Sequence, residues 1–67
     1  MDVRVKLGRR VQSLRRAQGL SQEAFADKIG LHRTYVSGVE RGVRNPTLTA
    51  MAKIAAGLSV TLGELLQ

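Results

Sequence analysis

The 67-residue sequence contains no cysteine, no tryptophan and only one proline. Without cysteine, the chain can form neither a disulfide nor a cysteine-based zinc or redox site. One tyrosine and one phenylalanine are too few for the rows of aromatic side chains on which single-stranded nucleic acids stack. A chain of this size buries only about 60% of its unfolded surface, so we expect tight helix packing or association with a second copy.

Long apolar runs are absent as well. No stretch of about 18 apolar residues could span a bilayer, and no segment has the pattern of a secretory signal. We therefore expect one domain over residues 1–67, located in the cytoplasm and not bound to a membrane.

The chemistry of enzymes and metal sites also lacks its usual residues. The chain has one histidine, which provides neither a nucleophile with a base and an orienting group nor a second metal ligand. We therefore expect no enzyme activity, no catalytic residue, no metal, no cofactor and no small-molecule substrate.

What the sequence has in excess is positive charge. Eleven Lys and Arg against five Asp and Glu give a net charge of +6 and a pI of about 11.3. A basic surface attracts polyanions, and the shortage of aromatics favours double-stranded DNA over single strands. Binding of residues 1–20 to a membrane surface as a basic amphipathic helix is the alternative that charge alone leaves open.

Apolar periodicity and helix-capping residues predict an all-α, compact five-helix bundle without a convincing strand. The expected capping residues are Asp2, Ser21, Thr47 and, as a capping box, Thr61 with Glu64. Gly57 is expected to end the fourth helix, and Gly8 lies inside the first, where it costs about 1 kcal/mol relative to alanine. Either close packing at this position or simple tolerance of that cost explains why a glycine is present inside the helix. The five helices are predicted at about 3–18, 22–29, 33–41, 48–56 and 62–66.

Residues 22–41, which read QEAFADKIGLHRTYVSGVER, have the spacing of a helix-turn-helix. Ala26 is small where the two helices would cross, and Gly30 can adopt the left-handed backbone of a helix end. Val36 and Val39 would hold the second helix against the core. Two arbitrary amphipathic helices would explain the apolar positions, but not this order of small residue, glycine and apolar pair.

Residues 7–66 resemble the phage repressor and Cro-type, or Xre-like, helix-turn-helix family. The resemblance lies in GLSQEAFADKIG at 19–30, ERG at 40–42, RNP at 44–46 and GLSVTLGELL at 57–66. Within that family, LHRTYVSGVERGVRN at 31–45 is most similar to the controller proteins of restriction-modification operons.

This resemblance implies a lambda-repressor-like fold and a regulator of transcription that binds a palindromic operator as a homodimer. RNA polymerase would be a further partner if the regulator recruits it. The resemblance also implies a structural salt bridge between Arg15 and Glu40 and a phosphate contact by Gln22. An antitoxin-like protein-interaction module with autoregulatory DNA binding is the alternative, and we expect no toxin-binding tail after Gln67.

In a helix-turn-helix, the second helix enters the major groove with its N-terminal end leading. Gly38 shares the groove-facing side of that helix, opposite Val36 and Val39, but has no side chain for reading bases. The residues predicted to read bases are Arg33, Thr34, Ser37 and Tyr35. The residues predicted to contact the DNA backbone are Gln22, His32, Arg41, Arg44 and Asn45.

Each of these residues also has a simpler interpretation. The fork of Arg33 matches guanine O6 and N7, yet an exposed arginine is often only solvated. Thr34 and Ser37 could merely fill the surface, Tyr35 could pack over the helix edge, and Gln22 could be a plain first-turn residue.

The last predicted interface is between two copies of the chain. We expect the fifth helix and the end of the fourth to form a dimer surface through Leu62, Leu65 and Leu66. So short a helix carries more apolar area than it needs internally, although some of these leucines must also close the core.

Overall fold

The computed structural model describes residues 2–67, which form five α-helices and no β-strand. The all-α, five-helix prediction is therefore confirmed. The helices are α1 (Val3–Ala17), α2 (Gln22–Ile29), α3 (Arg33–Glu40), α4 (Leu48–Leu58) and α5 (Leu62–Leu65). The predicted bounds of α2 are correct, and α1, α3 and α5 each end one residue earlier than predicted. None of the helices in residues 2–67 is long and apolar enough to cross a membrane.

Polar residues cap the helices at the positions that the sequence indicated. The side chains of Asp2, Ser21 and Thr47 accept hydrogen bonds from the backbone amides of Arg4, Ala24 and Ala50. At α5, Thr61 and Glu64 form a reciprocal capping box with two bonds of 3.0 Å. The hydrogen bond from the Thr61 amide lowers the pKa of the Glu64 carboxyl group.

The end of α4 differs from the prediction. The helix continues through Gly57 to Leu58, and Ser59 ends it in the left-handed region with a φ of 59°. Gly57 is buried, and a Cβ there would overlap the side chain of Ile29 and lie 3.2 Å from Cε1 of Phe25. Gly57 therefore allows α4 to pack closely on α2, and it does not end the helix.

The core contains residues from all five helices. Its largest fully buried side chains are Val11, Phe25, Val36, Val39, Ile54 and Leu65. The expectation that Leu65 faces a second copy is thereby corrected, since its side chain is 0% exposed within one protomer. Leu62 is half-buried against the same core, whereas Leu66 is 48% exposed. Of the three predicted dimer residues, Leu66 alone is largely free of its own core.

Close packing, rather than tolerance, explains Gly8. The backbone of α1 crosses the end of α3 at this residue, where a Cβ would overlap the carbonyl oxygen of Val39 and lie 2.6 Å from that of Glu40. Because no side chain separates the helices at Gly8, the C-terminal end of α3 rests directly on α1.

Candidate nucleic-acid interface

The corner between α2 and α3 is built as the sequence predicted. Ala26 is 1% exposed, and Gly30 has a left-handed φ of 72°. The amides of Gly30 and Leu31 donate to carbonyl oxygens of the last turn of α2, which satisfies that helix end. Val36 and Val39 are buried, so the opposite side of α3 is directed outward.

A buried ion pair joins α1 to the end of α3. Arg15 Nε donates to Glu40 Oε2 at 2.7 Å, and Arg15 Nη2 donates to Glu40 Oε1 at 3.0 Å. The remaining guanidinium nitrogen donates to the carbonyl oxygen of Leu20 at 2.7 Å. The hydrogen bonds to Glu40 raise the pKa of Arg15. This pair is the salt bridge that the family resemblance implied.

Gln22 is part of the same network, a contact for which the sequence carries no local signal. The side-chain amide nitrogen of this half-buried residue donates to Glu40 Oε1 at 3.0 Å. The contact anchors the side chain at the first residue of α2. The amide group has a second hydrogen, with which Gln22 can still donate to a phosphate.

The first turn of α3 carries three of the four predicted base-reading residues, Arg33, Thr34 and Tyr35. Arg33 and Thr34 are exposed, and Ser37 is half-buried one turn later on the same face. His32 caps the helix, because its Nδ1 accepts from the amide of Thr34 at 3.2 Å. The exposed surface available for base contacts is therefore concentrated at the N-terminal end of α3.

Tyr35 lies at the edge of α3 and is half-buried against the core. Its hydroxyl oxygen accepts from the amide of Thr47 at 3.2 Å. The guanidinium of Arg44 lies over the ring, 4.7 Å from its centroid, in a cation–π contact. Tyr35 therefore packs over the helix edge, as the simpler interpretation suggested, and it positions Arg44.

The helix periodicity suggested that Gly38 faces open space, but in the structure it does not. It is buried because Arg44 covers it: a Cβ at Gly38 would lie 3.3 Å from the Cβ of Arg44 and 3.5 Å from its Nε. A loop arginine thus occupies the place that a longer side chain on α3 would take. Sequence periodicity could not show this, since Arg44 lies outside the helix.

The other predicted backbone contacts surround this face. Arg41, Arg44 and Asn45 are exposed and, together with Thr34, Gly38 and Val43, line a shallow polar concavity beside α3. His32 is exposed at the opposite end of the helix. With Arg33 at the N-terminal end of α3, basic side chains lie at both ends and along one side of its exposed face.

Within residues 2–67, no three His, Cys, Asp or Glu side chains are grouped closely enough to hold a metal ion. All the buried side-chain nitrogen and oxygen atoms in that range have hydrogen-bond partners. The polar groups of the site are thus either hydrogen-bonded within the chain or exposed to solvent.

Comparison with known proteins identifies the fold. A helix-turn-helix family model matches residues 11–65, which is most of the chain. The chain belongs to this helix-turn-helix family.

Similar proteins include several named as controllers. This helix-turn-helix chain is 46% identical over 65 residues to control protein C.MunI from Mycoplasma, covering 96% of the chain and 88% of the relative. It is 42% identical over 66 residues to control protein C.SmaI from Serratia marcescens, covering 98% and 79%. The crystal structure of the restriction-modification controller protein C.AhdI from Aeromonas hydrophila matches with a TM-score of 0.88 and 50% identity, covering 92% and 90%.

These comparisons confirm the resemblance that the sequence motifs indicated, both to the helix-turn-helix family and to its controller proteins. They also agree with the expectation of a DNA-binding regulator of transcription rather than an enzyme. The assignment of individual DNA-contacting residues stays a prediction.

Proposed function

We propose that this protein is a transcriptional regulator that binds a palindromic operator in double-stranded DNA as a homodimer and controls a restriction-modification operon. The observation that supports this most directly is the first turn of α3, where the side chains of Arg33 and Thr34 are exposed. The buried Val36 and Val39 pack the opposite side of this helix against the core. Identities of 46% and 50% to proteins named as controllers support the operon assignment.

In this mechanism, α3 of each protomer lies in a major groove, with two half-sites about one helical turn apart. Arg33 pairs with guanine, and Thr34 and Ser37 read neighbouring bases. Gln22, His32, Arg41, Arg44 and Asn45 contact the sugar-phosphate backbone. The bound dimer would act in the cytoplasm by blocking RNA polymerase or by recruiting it.

The dimer surface in this proposal lies at α5, with Leu66, the residue that caps its C-terminal end, at the centre and Leu62 at the margin. Leu65 is excluded because it is buried in the protomer core. Selection of bound fragments from random duplex DNA tests the operator directly. A recovered palindrome, with sedimentation of a dimer on it, is the expected result, and a single asymmetric site bound by one protomer would contradict the homodimer.

Arg33→Ala should weaken binding to the selected operator by about 1–3 kcal/mol, because a bidentate arginine–guanine pair supplies that much discrimination. Binding to random DNA should change little. Affinities are measured at one fixed salt concentration on both DNAs. Arg16→Ala, which removes an exposed arginine near the end of α1, is the matched control and should affect both DNAs slightly and equally. Equal losses for Arg33→Ala on both DNAs would show a phosphate contact instead.

Arg41→Ala should weaken binding to operator and random DNA alike. Arg41 is exposed at the C-terminal cap of α3, where its side chain can reach a phosphate. Losing one phosphate contact should lower the slope of log K against log salt by about 0.9. Affinity is measured across a salt series, and a slope equal to that of the unaltered protein would remove Arg41 from the interface.

A further inference from the structure

Thr34 contacts its neighbour His32 through two different atoms. The backbone nitrogen of Thr34 lies 3.2 Å from His32 Nδ1, and its hydroxyl oxygen lies 2.7 Å from the same nitrogen. A backbone N–H can only donate, so Nδ1 must accept and carries no hydrogen. The ring hydrogen of the neutral imidazole therefore resides on Nε2.

This tautomer determines the orientation of the Thr34 hydroxyl group. In this tautomer Nδ1 has no hydrogen to give, so the hydroxyl is the donor in the 2.7 Å contact and shares the single lone pair of Nδ1 with the backbone amide of Thr34. The hydroxyl hydrogen is thus directed at His32, and only the lone pairs of the oxygen are free. Thr34 is exposed on the first turn of α3, so those lone pairs are available to a partner.

We propose that His32 is a positioning residue that makes Thr34 an acceptor-only reader of the DNA base edge. This inference rests on the proposed function. A free threonine hydroxyl can donate or accept and therefore discriminates poorly between bases. A hydroxyl that can only accept pairs with the amino group of adenine or cytosine, and not with the acceptor atoms of guanine and thymine. The base that Thr34 contacts is therefore adenine or cytosine.

The same tautomer gives His32 a second role at the interface. With Nδ1 occupied, Nε2 carries the hydrogen and is the free donor of the ring. An exposed donor at the start of α3 suits a phosphate oxygen. Loss of His32 should therefore reduce affinity for all sequences, while its effect through Thr34 changes the preference between sequences. The ratio of the affinities for two operators that differ at the base read by Thr34 separates the two roles, because an effect common to all sequences cancels in that ratio.

The tautomer is tested first, on the full chain without DNA. Long-range ¹H–¹⁵N correlation spectra of protein with labelled histidine identify which ring nitrogen carries the hydrogen. In spectra recorded at about pH 8, we expect the hydrogen on Nε2. A hydrogen on Nδ1 would overturn the inference, whatever the protein binds.

The base preference is tested on the selected operator. Thr34→Val keeps the shape of the side chain and removes the hydroxyl group. The operator position at which this variant loses the base preference of the unaltered protein is therefore the position that Thr34 reads. At that position the unaltered protein should favour adenine or cytosine about threefold to tenfold, the range expected for one hydrogen bond. His32→Gly removes the acceptor at little cost to the helix cap and should reduce the preference to less than about twofold.

Two further variants show whether His32 acts through the hydroxyl. His32→Asn supplies a side-chain oxygen that can accept from both Thr34 groups, so it should restore the preference. In a Thr34→Val background, His32→Gly should leave the base preference unchanged. A preference that survives His32→Gly would overturn the inference. If the protein binds a specific operator but Thr34→Val changes the base preference at no position, this inference is overturned and the proposed function stands. If the protein binds no specific DNA sequence, the proposed function is overturned as well.

Discussion

Glu40→Ala should destabilise the fold by about 3–5 kcal/mol, the cost of removing one partner from a buried ion pair. The Arg15 and Glu40 side chains are only 8% and 1% exposed, so water cannot replace the lost carboxylate. Arg15 would keep one bond to the carbonyl of Leu20, and Gln22 would lose its only acceptor in the network. Since a small domain is stable by about 5–15 kcal/mol, urea unfolding followed by circular dichroism should show a large shift in midpoint.

Asp27→Ala is the matched control for Glu40→Ala. It removes one negative charge from an exposed site on α2 and should change stability by less than about 0.5 kcal/mol. Replacing both partners, as Arg15→Met with Glu40→Leu, should recover much of the loss, because no unpaired charge then stays buried. A loss below about 1 kcal/mol for Glu40→Ala would mean that the pair contributes no more than a surface salt bridge.

The helices could be predicted because their signals are local. Ser21 before α2 and Thr61 with Glu64 at α5 are capping residues a few positions from the amides that they bind. Gly30 follows the last apolar residue of α2, where a left-handed residue is needed. Each of these features involves residues close in sequence, so the pattern was sufficient.

The packing roles of Gly57 and Leu65 could not be predicted in the same way. A glycine after an apolar run is typical of a helix end, and only the neighbouring side chain of Ile29 shows that Gly57 serves a crossing instead. The sequence does not distinguish the three leucines Leu62, Leu65 and Leu66. Which of them is buried depends on how α5 docks on the other helices, and that placement is tertiary.

The same distinction between local signals and tertiary placement applies to the residues of the candidate site. Periodicity was enough to place Arg33 and Thr34 outside the core. The pair of Arg15 and Glu40, 25 residues apart, came only from the family resemblance. The stacking of Arg44 on Tyr35 depends on the path of the loop after α3, for which the sequence carries no periodic signal.

Gly8→Ala should destabilise the protein by about 3 kcal/mol, although alanine favours a helix by about 1 kcal/mol over glycine. The added methyl group would overlap the carbonyl oxygen of Val39 and lie 2.6 Å from that of Glu40. Backbone atoms cannot rotate away as side chains can, so α1 and α3 must separate. That separation would also strain the Arg15–Glu40 pair and displace the helix that carries Arg33.

Gly63→Ala makes the same change in α5, where a Cβ would meet nothing closer than the Thr61 hydroxyl oxygen at 3.8 Å. This control should stabilise the protein by up to about 1 kcal/mol, because only the helix preference of alanine acts there. The two substitutions should thus shift the thermal midpoint in opposite directions, by roughly 4–8 °C per kcal/mol in a domain of this size. If Gly8→Ala also raised the midpoint, α1 and α3 would not be in backbone contact, and the position of α3 would depend on the ion pair and the side-chain core alone.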